Sequence, residues 1–132
     1  MANPHQASRL SHVIHHVSLE VSDLERAGRF YDSVVGALGW RRHVEEPDRI
    51  GWGIVRPLFF ASTRHPVASG GGHVCFAATG IPAVKGAWEG GVAGGGIDDG
   101  APGQRPEYGA TYYSAYLLDP DGNRVEIAVG AS

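Results

Sequence analysis

The sequence has a single cysteine, Cys75, among 132 residues. That excludes an intramolecular disulfide and a cysteine-rich zinc site, and it fits a reducing compartment. Charge is sparse too: 19% of residues, with 11 Lys and Arg against 14 Asp and Glu for a formal net charge of −3. Basic residues so few and scattered give no electrostatic footprint for nucleic acid or an anionic membrane. No apolar run approaches the ~18 residues that span a bilayer. The N-terminus also lacks the basic-then-apolar order of a secretory leader, so a cytoplasmic location is expected. The expected partner is a small-molecule substrate or a second copy of the chain.

Glycine, by contrast, is abundant: 20 residues, 13 of them between Gly70 and Gly109. No G-x-y period organises them, which excludes collagen, and the aromatic residues in the same stretch argue against disorder. Gly70–Gly72 and Gly94–Gly96 lack the Lys-Ser/Thr and strand-to-helix context of a phosphate loop. The length suits one domain. Residues 1–12, with His5 and His12, show no periodicity and are expected to form a flexible arm before a single domain at 13–132.

From Ile14 the segment IHHVSLEV alternates, with Val17, Leu19 and Val21 on one face and His16, Ser18 and Glu20 on the other. This predicts a half-buried strand. Ser22 and Glu25 in S-D-L-E form a capping box that opens a helix. Apolar residues from Leu24 to Leu38 follow three-and-four spacing, and Gly39 supplies a left-handed stop. From Trp40 to Ser62, apolar pieces broken by Pro47, Gly51, Gly53 and Pro57 suit short strands.

An offset of 57 lays His16-Val17-Ser18-Leu19 over His73-Val74-Cys75-Phe76 and continues through a second helix, with Thr79 as cap and Gly96 as stop. Arg56-Pro57-Leu58-Phe59 falls on Arg124-Val125-Glu126-Ile127 at an offset of 68. The difference implies an insertion of 11 residues falling within the segment GIDDGAPGQRPEYGA, which is too rich in Gly and Pro for regular structure and reads as a loop. Asp119-Pro-Asp-Gly-Asn123 reads as a hairpin turn. The plan is strand, helix, three strands, written twice: module one about 13–64, module two about 71–130.

A sheet with a helix on one face buries its apolar row beneath that helix. His16 and His73 therefore lie on the opposite face, and Glu126 joins them because Val125, Ile127 and Val129 form the apolar row of the last strand. If the two open faces curl towards one another, two imidazoles and a carboxylate converge. That is a divalent-metal arrangement with open positions for Lewis-acid or oxygen chemistry.

His-Val-Ser-Leu-Glu-Val-Ser-Asp-Leu-Glu-Arg, then Phe30-Tyr31, Gly72-His73-Val74 and Asp119-Pro-Asp-Gly-Asn-Arg-Val-Glu126, resemble the vicinal-oxygen-chelate superfamily of glyoxalases, bleomycin resistance proteins and extradiol dioxygenases. The likeness spans about residues 13 to 129. It implies an α+β fold in which two βαβββ modules pair into a curved, barrel-like mixed sheet around a cleft, with helices outside. It also implies a homodimer and a divalent metal (Fe, Mn, Zn or Ni) on His16, His73 and Glu126. The fourth ligand of glyoxalase-like members would fall at Leu58 or a neighbour in LFFA, where this chain has no acid or imidazole. The pattern left is the three-ligand one of thiol transferases and ring-cleaving dioxygenases.

Alternation places either Tyr112 and Tyr116 or Tyr113 in the cavity, and Tyr113 stands as the candidate proton donor or aromatic wall, with Tyr108 nearby. Arg105, at the expected rim, is the candidate for binding a substrate carboxylate or phosphate. His65 is a second rim residue, Cys75 a small residue lining the pocket, and His15 points away. The expected function is a lyase, thiol transferase or ring-cleaving dioxygenase. The alternatives are a metal-free binding protein of the bleomycin-resistance kind, or a metal that serves only the fold.

Overall fold

The structure, a computed structural model, describes residues 14–130. The expected arm, with His5 and His12, lies outside the described residues. Module one comprises β1 (Val17–Glu20), α1 (Leu24–Gly36), β2 (Arg41–Glu46), β3 (Arg49–Gly53) and β4 (Phe59–Ser62). Module two repeats the order with β5 (His73–Ala77), α2 (Ile81–Ala93), β6 (Ile97–Gln104), β7 (Tyr113–Leu118) and β8 (Arg124–Val129). Each forms a four-stranded mixed sheet, β1-β4-β3-β2 and β5-β8-β7-β6, its first and last strands parallel and the rest antiparallel. The fold is α+β with two βαβββ modules. The sheets remain separate four-stranded layers and do not close into a barrel.

Three local expectations are corrected. The cap of α1 is Asp23, whose carboxylate accepts the Arg26 amide at 3.0 Å, because the Ser22 hydroxyl is drawn to Asp121 of the other module. The cap of α2 is Gly80, without a side-chain bond, and the left-handed residue after it is Gly95 at φ +105°. Ile97–Gln104 of the segment read as a loop is β6, a sheet edge whose register breaks twice, between Asp98 and Gly100 and between Gly100 and Gly103, while the rest of that segment stays in turns. An edge tolerates Pro102, since one side of the strand needs no ladder bonds. Gly100, at φ +156°, lets the backbone close on the Tyr116 ring, where a Cβ would come within 2.9 Å.

Strand register also refines the repeat. Val17 pairs with Phe59 as Val74 pairs with Val125, so the second halves correspond at an offset of 66 rather than 68. The counterpart of Glu126 is therefore Phe60, not Leu58.

The modules are joined through the faces that carry their helices. Val21, Phe30, Tyr31, Val34, Phe59, Phe76, Val84, Leu117 and Ile127 belong to one continuous core, all at most 3% exposed. Phe59 of β4 meets Phe76 of β5 edge to face at 5.1 Å. The helices pack side by side, and the glycines of α2 permit it. A Cβ on Gly91 would lie 2.4 Å from Leu117 and 2.9 Å from Val34, and one on Gly90 would lie 2.9 Å from the Ser33 carbonyl.

The turn DPDGN is the second joint. Asp119, 1% exposed, accepts the Tyr31 hydroxyl at 2.7 Å, the amides of Asp121 and Asn123 at 2.9 Å and the Asn123 side chain at 2.9 Å. Asn123 donates to the Glu20 carbonyl at 3.2 Å and accepts the Gly72 amide at 2.6 Å. Asp121 receives the Ser22 amide at 3.0 Å. A hairpin turn of module two thus holds the first strand and helix of module one.

Candidate functional site

Because the helix-bearing faces share one core, the opposite faces carry separate clefts. On module two, parallel pairing sets His73 beside Arg124 and Cys75 beside Glu126, while antiparallel pairing sets Glu126 beside Tyr116. These side chains share a face because residues in register across neighbouring strands point the same way. His73, Arg124, Glu126 and Tyr116 line a cleft of about 300 Å³ together with Tyr108 and Tyr112, while Cys75 falls in the lining of a neighbouring groove.

At its floor, Glu126 is nearly buried. One carboxylate oxygen accepts the Tyr112 hydroxyl at 2.7 Å, and the other faces His73 Nε2 at 3.6 Å. Burial and the bond to Glu126 push the Tyr112 phenol above its ordinary range, so it keeps its proton at neutral pH. Cys75 is exposed, contrary to its expected place as a small pocket residue, and its thiol is pushed up to about 12 by local desolvation first and by the Glu126 charge second. It is a thiol and not a thiolate at neutral pH, which removes it as a nucleophile. Accordingly, iodoacetamide at pH 8.5 should alkylate Cys75 at least ~10-fold more slowly than free cysteine, followed by mass spectrometry.

On module one the corresponding cleft, about 280 Å³, holds His16, Ser18, Glu20, Arg49, Phe60 and His65 among its lining. The His16 imidazole packs edge-on against Phe60 at 5.4 Å and, contrary to the expectation that His15 points away, meets the His15 ring, Nδ1 to Nδ1, at 3.0 Å. Arg49 lies over the Phe60 ring at 4.8 Å. Gly51 makes room for that ring, since a Cβ there would come within 2.5 Å of it. An apolar groove of about 230 Å³, with His16 and Cys75 in its lining, is bordered by β1 and β5.

The structure brings His73 and Glu126 together and sets His16 in the other cleft. Among the described residues of one chain, no three His, Cys, Asp or Glu side chains are grouped to hold a metal. As donors, His73 and Glu126 fit a divalent ion as two of its ligands: an imidazole nitrogen and a carboxylate oriented by a neighbouring hydroxyl, opening on a cleft.

Tyr113 is not in the cleft. It packs against the core, in register with Val129, because the alternation of β7 sends Tyr113, Ala115 and Leu117 inward and leaves Tyr112 and Tyr116 on the open face. Arg105 donates to the carbonyls of Ala101 at 2.7 Å and Ser114 at 3.4 Å, with its guanidinium 5.5 Å from the Tyr116 ring. Those bonds tie β6 to β7 and leave Arg105 outside the cleft lining. His65 lines the module-one cleft, its amide donating to Glu20 at 2.9 Å. Sequence reasoning missed Arg124. Its period-two relation to Glu126 was the available signal.

The family model for the Glyoxalase/Bleomycin resistance protein/Dioxygenase superfamily matches residues 13–127. Among solved structures, a glyoxalase/bleomycin resistance protein from Albidiferax ferrireducens T118 is 31% identical, with TM-score 0.74, over 86% of this chain and 95% of that one. A glyoxalase-related enzyme from Fulvimarina pelagi is 25% identical, with TM-score 0.67, over 87% and 86%. The lactoylglutathione lyase of Agrobacterium tumefaciens shares the fold at 24% identity and TM-score 0.64, over 90% and 94%. Among curated proteins, none matches the sequence.

Proposed function

Because the chain belongs to the Glyoxalase/Bleomycin resistance protein/Dioxygenase superfamily, we propose that it is a small metal-dependent enzyme acting on paired oxygens of a small substrate, with His16, His73 and Glu126 as ligands. The observation that carries this reading is Glu126: a nearly buried carboxylate, one oxygen fixed by Tyr112 and the other turned towards His73 in an open cleft.

The separation of His16 from that pair makes the working unit two chains. Two copies meeting through their open faces bring the module-one cleft of one against the module-two cleft of the other, so each composite site has one His16 and one His73–Glu126 pair. A divalent ion held there, Fe²⁺, Mn²⁺, Zn²⁺ or Ni²⁺, supplies Lewis-acid polarisation of the substrate oxygens. Tyr112 holds the Glu126 carboxylate in one orientation, and its hydroxyl keeps the proton that makes this bond. Tyr108 and Tyr116 form an aromatic wall that limits water in the cleft. The reaction is of the lyase, thiol-transfer or ring-opening type.

Elemental analysis of protein purified without chelators tests this. We expect about one metal per chain, lost in both His16→Ala and His73→Ala. Mixing equal amounts of those two variants should restore about a quarter of the binding capacity, since about half of the randomly formed pairs are mixed and one of the two composite sites in each is intact. Below ~0.2 metal per chain, unchanged by His73→Ala, the reading is wrong. The alternative is then a metal-free small-molecule binder, favoured by Phe60 at the position equivalent to Glu126, which makes the module-one cleft apolar at its floor.

A further inference from the structure

Arg124 has no role in the ligand set, yet its place is specific. It sits in register with His73 across β5 and β8 and two residues before Glu126 on the same face, and it lines the same cleft. Its guanidinium lies over the Tyr116 ring at 4.4 Å, and its Nε donates to Asp99 at 3.0 Å. Ring and carboxylate together fix the plane of the group. The two terminal nitrogens make no hydrogen bond to any described residue, and the side chain is 48% exposed. An arginine fixed at Nε, stacked on one face and unpaired at its terminal nitrogens is preorganised for a two-pronged contact with an oxyanion.

We propose that Arg124 binds a carboxylate next to the chelating oxygens, so that the substrate is a small 2-oxo or 2-hydroxy acid. This rests on the metal-dependent reading above. Charge selects the ionic form. In one chain's cleft Arg124 stands against Glu126 and Asp99, and the module-one cleft of the second copy adds Arg49 and Arg64 against Glu20, so the composite site is near neutral without metal. A divalent ion adds two positive charges and so favours an anion. Metal and carboxylate binding are therefore coupled, and Arg124 supplies the preference for acid over neutral analogue.

The test is calorimetric titration of the intact protein, metal-free and loaded with Mn²⁺, with pyruvate and with its uncharged amide, pyruvamide. Metal-loaded protein should bind pyruvate, and metal-free protein should not. Arg124→Gln should weaken pyruvate at least ~10-fold while leaving pyruvamide affinity unchanged and Mn²⁺ affinity no weaker, since it removes a positive charge beside Glu126. Arg124→Lys, which keeps the charge but loses the planar fork, should fall between. If Mn²⁺ binds but Arg124→Gln leaves pyruvate unaffected, or weakens both probes alike, the assignment is overturned and the metal reading stands. If no Mn²⁺ binds, both fall.

Discussion

Replacing Asp119 by alanine should lower the unfolding free energy by about 4 kcal/mol, read as a fall in urea midpoint at nearly unchanged m value. The carboxylate serves four donors: the Tyr31 hydroxyl, two backbone amides and the Asn123 side chain. Tyr31 and Asn123 are fully or almost fully buried, so the loss leaves donors that water cannot reach. Each unpaired buried group costs about 1–3 kcal/mol, a large part of the 5–15 kcal/mol that holds a typical domain. Tyr31→Phe removes one donor and keeps the ring, so about 1 kcal/mol is expected. A loss in Asp119→Ala no larger than in Tyr31→Phe would show that the bonds within the turn contribute nothing and that the Tyr31 joint is all that Asp119 holds.

The second large effect separates two glycines on one helix. Alanine normally improves a helix interior by up to ~1 kcal/mol over glycine. At Gly86 the added Cβ meets only the Ala37 Cβ at 3.8 Å, so Gly86→Ala should stabilise by roughly 0.5–1 kcal/mol. At Gly91 the Cβ would press on Leu117, Val34 and Phe30 in the shared core. Gly91→Ala should destabilise by about 1–3 kcal/mol despite its propensity gain, and Gly91→Val by more. Thermal and urea denaturation of the pair decide it. If both substitutions stabilise, the helices do not meet at this glycine face.

The elements legible in the sequence were those whose periodicity arises within one module. The His16 to Val21 alternation, the apolar stripe of α1 and the 57-residue repeat all follow from one face being buried, which leaves a local trace. The strand β6 left none, since Gly100, Pro102 and Gly103 meet the needs of an irregular edge. Alternation restricted the cavity tyrosines to two sets, and only the pairing of Tyr116 with Glu126 decides between them. The partnership of His16 with the other two ligands turns on which faces join, and no local pattern records that. The DPDGN turn was legible as a turn. Its bonds to Tyr31, Glu20 and Ser22 are tertiary, so its second task was hidden.

The four sheet edges are unlike one another. The edge strand β6 is kinked at two points and interrupted by Pro102, and β2 carries a bulge between Arg42 and Val44 within a charged segment. Both are poor templates for a foreign strand, the usual safeguard against runaway sheet growth. The edges β1 and β5 keep a regular register, and they border the clefts that hold His16 and His73. Any strand-to-strand adhesion is thereby steered away from β2 and β6 and towards the edges that border the two clefts.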